Sequence, residues 1–530
     1  MKYPSRTLSL LVAGALLVSM AGCSSNTASS SASSASASVL AAEESTLSLA
    51  GATALTFTDS GISAAEGYYS GYAIEGTALT INAPGTYVLS GSCADGSVTI
   101  KAETEGVTLV LNGLDLTSTT TAPIVCGKST GVTIAVYGGT QNTLADTAAN
   151  DKDGTNASAD AESAVLKCKD GSQVVLCGSG TLNITAAGKN GIKSGTENEG
   201  RAASLTIREL TLNIDAPVND AINAEQSLEV ESGTLTISAG DDALHSDYTL
   251  NIGAADTAGP AITISACNEG LEGAELNIFS GTIDITAADD CLNAANGELT
   301  DYAFSMNISG GTINAYTSGG DGFDSNGSLT ISGGSITVWT ANTADNQPLD
   351  ADGTITITGG TVLAAGGSAG MGYAIDASQG YVTYGGMGAA STVRLTNGSA
   401  FTITDASGST VYSGTALCDA NYLFYCAADL AADSEYTLAA GSTTLAAATA
   451  QTGTTRATFG GMGGGTPGMT PPDAANGKTP PAMNGGAPGG QAPDGQGGTP
   501  PEKPAGSPSG TPPEMPAQNN ATSQAEIAAG

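Results

Sequence analysis

The sequence predicts an all-β chain wound as a parallel β-helix, a solenoid of stacked repeats with a small β cap and disordered termini. Three observations carry that expectation. Short apolar alternations recur, among them GTLTIS, GTIDIT, GTINAY, GSITVW and TITIT, each followed by an acidic or Asn-containing segment. Aligning those segments gives KNGIKSG from 189, NDAINAE from 219, DDALHSD from 241, NEGLEGA from 268, DDCLNAA from 289, GDGFDSN from 320, NQPLDAD from 346 and GYAIDAS from 372. Their central apolar residues run from Ile192 to Ile375 at a step of about 26 residues, inside the range that marks stacked repeats. No helical 3.6-residue pattern separates the strands, so each repeat is expected to hold about three of them.

The first stretch, MKYPSRTLSLLVAGALLVSMAGC, has basic residues at Lys2 and Arg6 and an apolar run from Leu8 to Val18. It resembles a bacterial lipoprotein signal in which Met20-Ala21-Gly22-Cys23 is the lipobox. Residues 1–22 are then a signal peptide, Cys23 is lipidated, and the chain is held by a lipid anchor at the extracellular face of the cell membrane. No second apolar run approaches the ~18 residues a spanning helix needs. Residues 23–50 read as a flexible Ser/Ala-rich tether and 51–390 as the repeat domain. The segment 391–455 loses the repeat but keeps strand alternation, so it is expected to cap an edge that would otherwise pair with other chains. Residues 456–530 are rich in Gly, Pro and Met, cannot bury a core, and read as a disordered tail.

Composition narrows the partners. With 15 Lys and Arg against 51 Asp and Glu, the formal charge is −36, which excludes nucleic acid and anionic membrane surfaces and favours cations. Aromatic residues are only 5%, so the core must be built from Ala, Val, Ile and Leu. The single histidine, His245, excludes His-rich metal sites, and the cysteines lack zinc spacing. Residues 122–144 align with 163–184 and set Cys126 against Cys168 in neighbouring repeats, a candidate disulfide in an exported protein. Cys267, Cys291, Cys418 and Cys426 read as small buried hydrophobes.

Two residues after each central apolar residue stands a small one, such as Ser194, Ala224, Ser246 or Ala294, and strand alternation sends both inward. The residue between them points outward, giving Lys193, Asn223, His245, Glu272, Asn293, Asp324, Asp350 and Asp376. Stacking therefore predicts an acidic ladder of Asp324, Asp350 and Asp376, with Asp352 beside it. A second acidic set precedes the central residues: Asp220, Asp241 with Asp242, Glu269, Asp289 with Asp290, and Asp321, joined by Asp247. Such oxygen-rich stacks predict calcium as the bound ion, the alternative being Asp and Asn that cap their own turns in water. Tyr316 and Trp339 fall at matching outward positions, which predicts a ring platform for a sugar face unless they serve to pack the solenoid or lie under a loop.

GTYVLSGSCADGSVTI from 85, VTLVLNGLDLTSTTTAPIVC from 107 and DDALHSD from 241 resemble a bacterial carbohydrate-binding family of right-handed parallel β-helices that look like pectate lyases. The resemblance implies a right-handed helix, calcium, and plant cell-wall polysaccharides such as cellulose or polygalacturonate. The expected function is non-catalytic polysaccharide binding by a monomeric surface lipoprotein, with calcium bridging to any acidic sugar polymer. A calcium-dependent polysaccharide lyase is the alternative; it needs a basic residue beside the metal, and its candidates, Lys193 and Arg208, lie away from the Asp324 to Asp376 ladder. An adhesin that binds a protein along its side is the third reading.

Overall fold

The computed structural model describes residues 49–65, 70–341, 346–367, 374–385 and 393–455. The signal segment, Cys23, nearly all of the tether and the tail lie outside the described residues. Within them the chain is all-β: a 34-stranded mixed sheet, a 4-stranded sheet, and one 3-10 turn at Ala148–Asn150. Among the described residues no helix is long and apolar enough to cross a membrane.

The strands follow from alternation. In Thr211–Ala216 the residues Leu212 and Ile214 are buried while Thr211 and Asn213 lie at the surface edge, as a half-buried pleat requires. Through the repeats, strands pair in parallel with a strand one repeat further along. Gln141–Asp146, Thr181–Thr185, Thr211–Ala216 and Thr234–Ala239 form one such row, with Leu144, Ile184, Ile214 and Ile237 in register. Gln173–Gly178, Ser204–Ile207 and Ser227–Val230 form a second, and Ile124–Cys126, Ala164–Cys168, Asn190–Ser194 and Ile222–Ala224 a third. Ile192, Ile222, Leu244, Leu271, Leu292 and Phe323 are all 0% exposed in one continuous core, with Ser194, Ala224, Ser246 and Ala294 buried beside them.

Paired glycines precede many strands for a steric reason. Gly281, Gly311, Gly334 and Gly360 stack with φ of 118°, 88°, 90° and 81°. A Cβ on Gly334 would stand 2.9 Å from the Gly311 carbonyl oxygen, so a side chain is refused by conformation and by space.

Three expectations are corrected. Ile375 pairs with Ile355 and Asp376 with Thr356, whereas Leu349 pairs with Phe323. The apolar-x-apolar pattern of Ile355–Ile357 matches Ile375–Ala377 as well as Leu349–Ala351 does, and period-two patterns alone do not choose between such rows. Cys126 and Cys168 are partners in register, but both are free, fully buried thiols. In-register Cβ atoms keep near the ~4.8 Å strand spacing, longer than the ~3.8 Å a disulfide spans. The Cys126 thiol is pushed well up by its hydrogen bond with Cys168 and by burial.

The third is the ring platform, whose place lies under the cap. Ala400–Asp405, Thr410–Thr415, Glu435–Ala440 and Thr443–Thr449 form the antiparallel sheet, and Tyr422–Cys426 pairs with both Thr361–Gly366 and Ile375–Gly385, covering the last edge. Tyr316 and Trp339 are in register, yet Trp339 is 1% exposed and meets Phe401 edge-to-face at 5.9 Å. Tyr316 packs half-buried against the same cluster. The ring platform does not form there, because the outward face of that row is the inner face of the cap.

Candidate functional site

Two parallel rows of polar side chains run along one side of the repeats. The first lies at the turn entering each short strand. The backbone N–H groups of Ala221, Ala243, Gly270 and Cys291 donate to the carbonyls of Asp242, Glu269, Asp290 and Asp321 in the following repeat. This ladder brings Asp220, Asp242, Glu269, Asp290 and Asp321 into line although they are scattered along a hundred residues of chain. Their carboxylates also serve the backbone: Asp290 Oδ1 accepts from the Asp321 N–H at 2.6 Å, and Asp321 accepts from the Gln347 N–H.

The second row is the outward strand position. Lys167, Lys193, Asn223, His245, Glu272, Asn293 and Asp324 follow one another in register. Asp350 continues it beside the Leu349 bridge. Asp241, Asp289, Asp352 and Asp376 are exposed, and Asp376 belongs to another row. The other sequence-derived acids, Asp220, Asp242, Asp247, Glu269, Asp290, Asp321, Asp324 and Asp350, gather along these two rows. Glu272, Asn293 and Gln347 join them; the first two were visible as outward positions, but their chemistry depends on neighbours one repeat away.

Where the rows face each other, two centres form. In the first, His245 Nδ1 stands 3.0 Å from Asp242 Oδ2 and 2.5 Å from Glu272 Oε2, and Nε2 stands 2.9 Å from Asp247 Oδ1. Burial alone would lower the imidazole, but bonds to three carboxylates outweigh it and push it up to about 12. The ring is therefore held as an imidazolium and offsets one of the three carboxylate charges around it.

In the second centre, ligand oxygens of Asp321, Asp324 and Asp350 lie within 4.8 Å of one another. Among the described residues none of the three has an ion-pair partner. Burial, then neighbouring acids, pushes Asp324 up to about 6, and burial likewise drives Asp321 to about 7 and the adjacent Asp290 to about 8. A pair of like charges at such separations repels by roughly 3 to 4 kcal/mol at an effective dielectric of 20. Asn293, in register with Asp324 and 8% exposed, donates through Nδ2 to Glu269 Oε2 at 2.8 Å, while its Oδ1 has no partner. Three carboxylates and an orphaned amide oxygen are a donor set for a hard cation with flexible coordination.

Basic groups are concentrated at the opposite end of the outward row. Lys193 pairs with Glu225 at 3.0 Å and Arg208 with Glu231 at 3.8 Å. Lys167, which sequence reasoning passed over, has its ammonium lowered by burial and by Lys193.

A family model described as "carbohydrate-binding domain-containing protein" matches residues 75–370 and, in a second placement, 256–452. A solved structure titled as the polysaccharide lyase-like protein from C. thermocellum, gadolinium derivative, is 22% identical, with 57% of this chain and 96% of that chain covered and a TM-score of 0.32. At that TM-score the likeness carries no argument. No curated protein matches.

Proposed function

The chain belongs to the family of carbohydrate-binding domain-containing proteins, and from that premise we propose that it binds polysaccharide without cleaving it, on a parallel β-helix stiffened by calcium. The helix reading rests on the three parallel rows of short strands, and its right hand on the rule for parallel crossovers. The observation that carries the calcium reading is the Asp321, Asp324 and Asp350 cluster beside the unpaired Asn293 oxygen. An ion there would hold successive repeats together and offer open coordination positions to an acidic polymer that the protein's own charge otherwise repels. Lipidation at Cys23 would display the monomer at the extracellular face, with the tether and the tail of residues 456–530 as spacers.

Lys167 and Lys193 are the groups that favour a lyase. Five row positions separate Lys193 from Asp324, roughly 24 Å at the ~4.8 Å strand spacing, too far for a base to act on a sugar held at that cluster. The test is retention on cellulose and polygalacturonate with calcium or EGTA, while the absorbance of unsaturated product is followed. Calcium-dependent retention without product is the expected outcome; product release would move the protein to the lyases. At calcium one hundred times its Kd, the wild type should gain about 2.7 kcal/mol of stability, and Asp324→Asn with Asp350→Asn should lose that increment.

A further inference from the structure

With Trp339 sealed under the cap, a sugar face must be met elsewhere, and one aromatic group on the side of the repeats is placed to do so. Tyr248 is 39% exposed. Tyr302 stands across from it with ring centroids 6.3 Å apart at 70°, and Phe304 follows Tyr302 at 5.4 Å. The rings come from two repeats: Thr249, next to Tyr248, is in register with Glu275, and Glu275 with Ser305, next to Phe304. The group thus spans two strand spacings, about 10 Å. Asn296 Nδ2 donates to the Asp247 carbonyl at 2.8 Å, fastening the segment that brings Tyr302 over. The Tyr302 hydroxyl donates to Glu275 Oε1 at 2.7 Å.

We propose that Tyr248, Tyr302 and Phe304, with Glu275 at their edge, form a binding platform for a neutral polysaccharide of pyranose units. The proposal rests on the carbohydrate-binding reading and names the ligand class and the place. Sugar C–H faces stack on aromatic rings, and an acceptor-rich rim takes the equatorial hydroxyls. Glu275 accepts but does not donate when ionised, which suits hydroxyl groups and repels a carboxylated sugar. In a chain with 5% aromatic residues, three rings linked through Tyr302, with Tyr248 open to water, are a concentration of the material such a surface needs.

The test measures affinity electrophoresis of the full chain in hydroxyethylcellulose, xylan, galactomannan and polygalacturonate, each with and without EGTA. Tyr248→Ala should weaken binding to a neutral glycan about tenfold, and Tyr302→Phe, which keeps the ring and loses the Glu275 bond, about threefold. Both should bind polygalacturonate as the wild type does. Neutral-glycan affinity unchanged in Tyr248→Ala overturns the platform while leaving the family reading intact, as does wild-type binding to polygalacturonate alone. Wild-type failure to bind any of the four overturns both. Should Tyr248→Ala melt early, nitration of the wild type read by mass spectrometry decides: a neutral oligosaccharide must shield Tyr248, and unshielded nitration overturns the proposal.

Discussion

The His245 centre and the Asp321–Asp324–Asp350 centre occupy the same two rows, three row positions apart, yet only the first holds its own counter-charge. Both arise because stacking brings acids together regardless of their distance in sequence. In the first, one imidazolium placed among Asp242, Asp247 and Glu272 offsets part of the repulsion through ion pairs within the chain, although burial and the Glu272 charge still hold Asp242 up at about 6. In the second, burial first and neighbouring acids after it raise Asp290, Asp321 and Asp324, and among the described residues Asp321, Asp324 and Asp350 have no ion-pair partner. A polar row can therefore change from partly compensated to cation-demanding through one side chain.

The largest effect that bears on this contrast is expected from His245→Ala in calcium-free buffer. Removing the cation leaves three clustered carboxylates and should cost about 3 to 5 kcal/mol in urea unfolding. Millimolar calcium should restore part of that loss, since the variant now resembles the second centre. Unchanged stability would break the comparison. The next effect concerns pH. Asp290, Asp321 and Asp324 have folded values of about 8, about 7 and about 6 against an unfolded carboxylate near ~3.9, so the folded state holds more protons. Their contribution is present below the unfolded value and is lost as pH rises through the folded ones. In EGTA the melting temperature should therefore fall steadily from pH 5 to pH 8, and calcium should flatten the slope. The smallest effect belongs to Asp376→Asn, exposed and outside the two rows, with a change within about 0.5 kcal/mol and an unaltered calcium response. A lost calcium response in Asp376→Asn would restore the three-acid ladder that the register excludes.

Much of this was legible in the chain itself. Alternation identified Ile192, Ile222, Leu244 and Leu271 as interior, and hence His245 and Glu272 as outward neighbours one repeat apart. Asp376 was misplaced because its strand carries an apolar pattern that two rows accept equally. Trp339 was misread for a different reason: alternation distinguishes the two faces of a strand, not what covers the outer one, and Phe401 lies outside the repeat. The unpaired Asn293 oxygen could not be read from sequence, because it is defined by where its other amide atom goes, to Glu269 in the preceding repeat.

The outward row opens on Lys167 and Lys193 and closes on Asp324 and Asp350. It is thus graded, from lysines at its head, Lys193 paired with Glu225, to carboxylates without an ion-pair partner among the described residues at its foot. Near a fibre of fixed negative charge such a molecule, repelled as a whole by its charge of −36, also experiences a torque that turns its foot away. Molecules held on the same fibre would inherit one common polarity.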